Sequence, residues 1–393
     1  MLFSFAVIFI AGIFMADIFR LSGLPRIIGM LAAGIIIGPY VLDVLDPSVL
    51  KISSELRRTA LIIILIKAGL SLDISDLKKV GRPAVMMSFV PACLEIIGYI
   101  VFAPILLGLT VTESAVMGAV LSAVSPAVTV PRMVRLIEEK TGTAKSIPQM
   151  ILAGASCDDV FVIVLFSTFV TMAQGGKADI SDFLDIPVSI ISGVLMGIVA
   201  GLILNVLLKL QKDSIIKTII MLSAAFLLMA AEGFLKKYVA VSGLLAVMAM
   251  SCVAKIKGYS GELSGKFGKM WIAAEIVLFV LVGAAVDIRY TLTAGLNAVI
   301  MIFVALIFRT VGVLICTAGT SLNLKERFFC VIAYLPKATV QAAIGSVPLA
   351  MGLPCGKMVL SVAVMAIIIT APLGAWGIDI TAKRFLEKEK PLH

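Results

Sequence analysis

Ser125-Pro126-Ala127-Val128-Thr129-Val130-Pro131 and Leu335-Pro336-Lys337-Ala338-Thr339 are the two stretches on which the reading of this chain turns. Each sets proline among polar residues in the middle of a long apolar run, the first within about 113–133 and the second within about 325–352. Proline removes a backbone donor and frees a carbonyl, and in hydrocarbon that is tolerable only beside protein or a wet cavity. One such helix reads as a simple kink. Two carry more weight, because a shift of 210 positions lays Ala123, Pro126, Thr129 and Val130 over Ala333, Pro336, Thr339 and Val340. Breaks at equivalent positions, with polar residues beside each, predict a pair of interrupted helices that cross and bind an ion.

The composition sets this in a membrane. Of the 393 residues, 61% are apolar and 15% charged, against roughly 25% charged in a typical soluble domain, and the mean hydropathy is +1.12. An ordinary cytosolic enzyme is excluded. Apolar stretches fall at about 3–20, 26–43, 58–72, 81–107, 113–133, 146–173, 186–209, 216–233, 238–254, 270–286, 292–317, 325–352 and 357–379. They predict an all-α polytopic membrane protein of about thirteen transmembrane helices, with short loops and no extramembrane domain. Met1-Leu2-Phe3 runs straight into the first stretch without a basic segment or cleavage site, so that helix is expected to stay in the protein.

Positive residues gather on the cytoplasmic side. An outside N-terminus puts most of the 33 Lys and Arg there, including Lys78, Lys79, Arg82, Arg132, Arg135, Lys140, Lys145 and the tail from Lys383 to Lys390. The expected topology is N-out and C-in, in the cell membrane, and the net charge of +9 reflects that loop bias rather than a nucleic-acid patch. The cysteines lack CxxC spacing and the one histidine is His393, so neither a zinc site, a disulfide framework nor imidazole-based catalysis is supported, and no cofactor is expected.

A shift of 214 positions brings Gly29, Leu31 and Ala32 onto Gly243, Leu245 and Ala246, and Gly69, Asp73 and Ile74 onto Gly283, Asp287 and Ile288. Each match pairs a span with the one seven later, and an odd offset means inverted topology, as in secondary transporters. Repeat one is expected over about 1–173, a linker helix at about 186–209, repeat two over about 216–379 and a short cytoplasmic tail at 380–393. Gly193, Gly197 and Gly201 give the linker a close-packing face, expected to meet another helix of the same protomer.

An ionised side chain at the bilayer centre is costly, so intramembrane charge is functional by default. Asp158 and Asp159 lie mid-span in 146–173, Lys337 in 325–352, and Glu95 in 81–107, where a 214-residue shift sets it over Arg309. Glu95 and Arg309 read as a buried structural ion pair tying the two repeats together. Adjacent helical residues project about 100° apart, so Asp158 and Asp159 cannot both face one partner. Asp158 is assigned to Lys337 and Asp159 to an open cavity, where one acid exchanges a proton for a cation while the other stays paired. Sodium, a hard cation, wants several oxygens. Asp159, with Asp158 beside it, Ser156, Thr129 and carbonyls freed by Pro126 and Pro336 near Thr339, could supply them. Lys67 and Glu275 lie near span ends and are free to snorkel, while Asp17, Asp73 and Asp287 read as interfacial.

With these residues assembled, the sequence resembles a sodium/proton antiporter of the monovalent cation:proton antiporter superfamily, with the inverted-repeat fold of the NhaA type. The marks are Leu24-Pro25-Arg26-Ile27-Ile28-Gly29 through Gly34-Ile35-Ile36-Ile37-Gly38-Pro39, then Ser156-Cys157-Asp158-Asp159, and Pro336-Lys337-Ala338-Thr339-Val340-Gln341-Ala342-Ala343. The last is most similar to the solute carrier family 9 subfamily B branch, which also carries a pair like Glu95 and Arg309. The resemblance implies a homodimer in which spans 4–6 and 11–13 slide against a scaffold of spans 1–3 and 8–10. It also implies that Na⁺ or Li⁺ competes with H⁺ at Asp159, with Asp158 paired to Lys337. Several relatives carry an acid in the break of span five, where this chain has Ser125 and Thr129. A K⁺/H⁺ antiporter or a sodium-coupled organic-anion symporter on the same architecture is the alternative. A channel is disfavoured by the lack of a charge ring or filter repeat.

Overall fold

A chain crossing hydrocarbon must pair its own peptide groups, and the apolar runs do so as helices. The computed structural model of the chain describes residues 1–71, 81–175, 180–235 and 241–388; Asp73, Lys78 and Lys79 and the side chain of Ser156 lie outside the described set. The helices are α1 (Leu2–Leu21), α2 (Arg26–Ile37), α3 (Pro47–Lys51), α4 (Ser53–Ser71), α5 (Arg82–Met87), α6 (Val90–Leu107), α7 (Val111–Ser122), α8 (Pro126–Glu138) and α9 (Ile147–Ala173). They continue as α10 (Ile180–Leu210), α11 (Ser214–Leu235), α12 (Gly243–Ile256), α13 (Ser260–Ala284), α14 (Ile288–Thr317), α15 (Leu324–Ala333), α16 (Thr339–Ile344), α17 (Val347–Ala350) and α18 (Gly356–Phe385). No strand forms among the described residues, and seven of the helical stretches are long and apolar enough to cross a membrane, with shorter apolar helices between them.

Packing sorts the helices into two groups. In one, α1, α2, α4, α12 and α13 surround one another, with α10 and α11 against α12; in the other, α5 to α9 pack with α14, α15 and α18. The groups meet where α9 lies against α10 and approaches α12, and where α16 lies against α4 and α13. Within the first group α2 and α13 touch backbone to backbone: a Cβ at Gly34 would collide with the Val280 carbonyl, and one at Gly283 with that of Leu31. The glycine face of α10 meets α12 of the same protomer, a Cβ at Gly193 falling 2.6 Å from the Ser242 carbonyl and one at Gly201 2.7 Å from Val253 Cβ.

Several helix ends differ from the apolar runs, each for a local reason. The run at 26–43 is helical only to Ile37, where Gly38 turns extended (ψ 174°) ahead of Pro39. The run at 81–107 divides at Ser88-Phe89, with Pro91 opening the second helix. The run at 238–254 becomes helical at Gly243, where the Ser242 hydroxyl accepts from Leu245 N at 3.3 Å. Helix α13 begins ten residues before its apolar run, taking in Lys266 and Lys269, and α14 bends at Gly295 (φ 40°).

The tail expected from 380 starts later, because α18 continues to Phe385 and Leu386 is buried. Gly142 N donates to the Glu387 carbonyl at 2.8 Å, and Thr141 bridges Lys388. Arg132 and Arg135 of α8 reach Asp379 of α18 at 3.4 and 2.7 Å. Lys145 bonds both carboxylate oxygens of the buried Glu326 at 2.8 and 2.9 Å. The connector from α8 to α9 is thereby fixed to α15 and α18 at one end of the second group.

The Gly34–Val280 and Gly283–Leu31 contacts leave no room for a side chain. Gly34→Val is therefore expected to destabilise the protein by about 1–3 kcal/mol through overpacking, read as a lower unfolding midpoint in detergent, with Gly233→Ala, which has open space around its Cβ position, as control.

Candidate functional site

Two gaps in the second group of helices make the site. Helix α7 ends at Ser122, Ala123 is extended (φ −70°, ψ 142°), and α8 starts at Pro126, which needs no partner for a missing N–H at the first helical position. Helix α15 ends at Ala333, the chain runs non-helically to Ala338, and α16 starts at Thr339. The two gaps cross. Ser125 N donates to the Pro336 carbonyl at 2.7 Å, and the Thr129 hydroxyl donates to the Ala333 carbonyl at 3.1 Å. Gln341 Nε2 donates to the Ala123 carbonyl at 2.8 Å while its Oε1 accepts from Ala338 N at 2.8 Å. Lys337 N is taken by the Thr370 hydroxyl of α18 at 2.9 Å. Peptide groups freed by each break are thus satisfied by residues from across the crossing.

Around this crossing four buried charges alternate in sign. Arg309 Nη1 and Lys337 Nζ each lie 2.7 Å from Glu95 Oε2, and Arg309 Nη2 lies 3.3 Å from Asp158 Oδ2. Val124 N donates to the same Asp158 oxygen at 2.8 Å. Arg309 uses its remaining capacity on backbone, donating to the Tyr334 carbonyl at 2.5 Å and to the Ser122 carbonyl, the two residues that flank the gaps. Charge-assisted bonds of this kind are the strong ones, and satisfying every donor is the condition under which burying such charges is tolerable.

The pair Glu95–Arg309 forms as read from the sequence. The assignment of Lys337 to Asp158 does not hold: Lys337 bonds Glu95, and Asp158 bonds Arg309 and Val124. The longer Glu95 side chain on α6 receives both cations at one oxygen, whereas the short Asp158 carboxylate is already held by a backbone amide of the first gap. Asp159 is the residue left over. Its Oδ1 is buried without a hydrogen-bond partner, and among the described residues no cation lies within ion-pair distance. Asp158 Oδ1, Ser125 Oγ and Thr339 Oγ1 are also buried and unpartnered. Pro126 opens α8 at the end of the first gap, and Pro336 lies inside the second, its ring packing where a Cβ on Gly374 would stand. Away from the crossing, Asp17 bonds Arg20 and Arg26 at 3.4 and 3.8 Å on an exposed surface, and Glu275 faces the charges of Arg26 and Lys67.

Gln341, to which the sequence motif assigns no role, has a recognisable signal: a polar amide three residues into a helix that follows a break stands where a capping side chain reaches back to the first free N–H.

Comparison with known proteins follows the same lines. The family model described as "Sodium/hydrogen exchanger, transmembrane" matches residues 5–384. The chain is 34% identical over 389 residues to Sodium/hydrogen exchanger 9B2 of Homo sapiens, covering 94% of this chain and 71% of the relative. It is 31% identical over 383 residues to Sodium/hydrogen exchanger 9B1 of Mus musculus, covering 93% and 67%. Among solved structures, the sodium proton antiporter MjNhaP1 from Methanocaldococcus jannaschii superposes with a TM-score of 0.83 over 97% of both chains at 18% identity, which is a likeness of fold.

The charge pattern makes single and paired changes differ. Arg309→Met leaves Glu95 and Asp158 short of a partner and is expected to cost about 3–5 kcal/mol. Glu95→Leu combined with Arg309→Met removes both ends of one bond and should cost less than the sum of the two single changes; unfolding midpoints of the four proteins in detergent check this.

Proposed function

The chain belongs to the transmembrane sodium/hydrogen exchanger family, and on that footing we propose that Asp159 is the group over which Na⁺ (or Li⁺) and H⁺ compete during exchange. The observation that carries this is the charge balance at the crossing. Asp158 and Glu95 cancel Arg309 and Lys337, so Asp159, with its buried and unpartnered Oδ1, is left without an ion-pair partner among the described residues. A bare carboxylate is expensive in a medium of low dielectric. It is stable there when it holds a proton or a small cation, and the two exclude each other. The unpartnered oxygens of Asp158, Ser125 and Thr339, and the Thr129 hydroxyl, which donates to Ala333 and keeps its lone pairs free, supply the hard donors that Na⁺ needs; Ser156, one turn before Asp159, belongs to the same proposal.

The protein is a multi-pass transporter rather than an enzyme. We read its spans as thirteen, in two inverted repeats joined by α10. The 210-residue offset between Pro126 and Pro336 and the 214-residue offset between Glu95 and Arg309 support that reading. The division of the helices into two groups supports movement of one against the other, which would expose Asp159 to each side in turn. The glycine-free face of α10 and the outer faces of α1 and α11 carry exposed apolar residues such as Leu195, Leu202, Phe14 and Leu227, surfaces fit for lipid or for the second protomer of a homodimer. The basic residues Arg132, Arg135 and Lys145 at the closed connector support a cytoplasmic location for that end and an outside N-terminus.

Reconstituted in liposomes, the protein is expected to move protons on addition of NaCl or LiCl and not KCl, and Asp159→Asn is expected to abolish the movement. Sodium-driven flux retained in that variant would overturn the assignment. One proton leaving Asp159 for one Na⁺ moves no net charge, so the flux should be the same with the membrane potential clamped at zero or at an imposed value.

A further inference from the structure

The bonds at the crossing close into a ring that no single pair reveals. The peptide unit between Ala123 and Val124 presents its carbonyl to Gln341 Nε2 and its N–H to Asp158 Oδ2, both at 2.8 Å. From Asp158 the ring passes to Arg309, from Arg309 to Glu95, and from Glu95 to Lys337. Lys337 is followed in the chain by Ala338, whose N–H donates to Gln341 Oε1 at 2.8 Å. The circuit runs through both breaks and through four charged residues. Gln341, fully buried, is its neutral side chain.

We propose that Gln341 is a positioning residue for exchange: it holds the Ala123–Val124 peptide against Asp158, and so fixes the carboxylate beside the exchanging Asp159, without adding a charge to the crossing. An amide can do this because it is donor and acceptor at once. A lysine could not accept from Ala338 N, and an ionised carboxylate could not donate to the Ala123 carbonyl. The residue therefore satisfies one freed acceptor and one freed donor from the two breaks while leaving the balance of Asp158, Glu95, Arg309 and Lys337 untouched. Without it the 123–124 peptide loses the contact that sets its plane, Asp158 loses a fixed N–H, and the unpartnered Asp158 Oδ1 is no longer held in place.

This rests on the exchange reading above, which Asp159→Asn tests separately: sodium-driven flux surviving in Asp159→Asn would remove that reading whatever the Gln341 variants do. For the ring, initial rates of proton movement are measured in proteoliposomes against Na⁺ concentration across pH 6 to 9 for the parent, Gln341→Ala and Gln341→Glu. Gln341→Ala opens the ring at every pH and is expected to raise the KM for Na⁺ about tenfold throughout, the scale of one or two lost hydrogen bonds, with a smaller change in maximal rate. Gln341→Glu keeps the acceptor for Ala338 N, and as the neutral acid it also keeps the donor. Its KM should match the parent at the acid end and approach that of Gln341→Ala at the alkaline end. A Gln341→Glu profile parallel to the parent, or parallel to Gln341→Ala, would overturn the proposal, as would a parent-like KM in Gln341→Ala. If Gln341→Ala does not fold, the slope of the Gln341→Glu profile relative to the parent decides alone, because a purely structural role would lower the amount of active protein and leave the pH dependence of KM unmoved.

Discussion

A peptide group released from its helix inside a membrane protein has to be paired again, at a cost of about 1–3 kcal/mol for each donor or acceptor left bare. The fold of this chain is organised around that requirement. Two helices stop short, at Ser122 and at Ala333, and the groups they release are answered by each other and by side chains that reach across. Ser125 N meets the Pro336 carbonyl, the Thr129 hydroxyl meets the Ala333 carbonyl, and Arg309 gathers the carbonyls of Ser122 and Tyr334. The breaks stabilise each other, and neither would be tolerable alone.

The same requirement explains why charge is concentrated there. Arg309 is needed for its five donors in a fixed fork, and once a guanidinium is buried, acids must follow. Glu95 and Asp158 supply them from two other helices, and Lys337 answers the second lone pair of Glu95. Three helices and the second break are thereby joined through side chains whose partners all come from elsewhere in the chain. Displacing any one of these segments alone would leave a buried charge unpaired. The connector from α8 to α9, clasped by Glu326 and Glu387, and α8 itself, held by Asp379, tie one end of the group together.

Much of this was legible in the sequence. The prolines at 126 and 336 marked both breaks because they fall at equivalent places among polar residues, unlike Pro104 and Pro372, which sit inside continuous helices, and the 214-residue offset paired Glu95 with Arg309 before any contact was known. The partner of Lys337 was not legible. Which of two acids a lysine meets depends on side-chain reach and on which oxygens the backbone has already taken, and Val124 N had claimed Asp158. Gln341 escaped for a related reason, since its meaning lies in two peptide groups that are 215 residues apart and become neighbours only in the folded chain. Helix ends were misjudged where hydropathy and helicity part company: Gly38 stops a helix inside an apolar run, and α13 and α18 continue through lysines beyond theirs.

The order of signs along the chain bears on how the protein is made. Glu95, Asp158 and Asp159 are synthesised long before Arg309 and Lys337, and chains are built from the N-terminus. A nascent chain therefore carries its acids through the bilayer while the bases that balance them do not yet exist. Carboxyl groups can wait in that state as neutral acids, whereas a guanidinium keeps its charge in every circumstance. In this order the Arg309 guanidinium, the one member of the crossing that cannot be neutralised, is made when the acids that receive it are already in the chain.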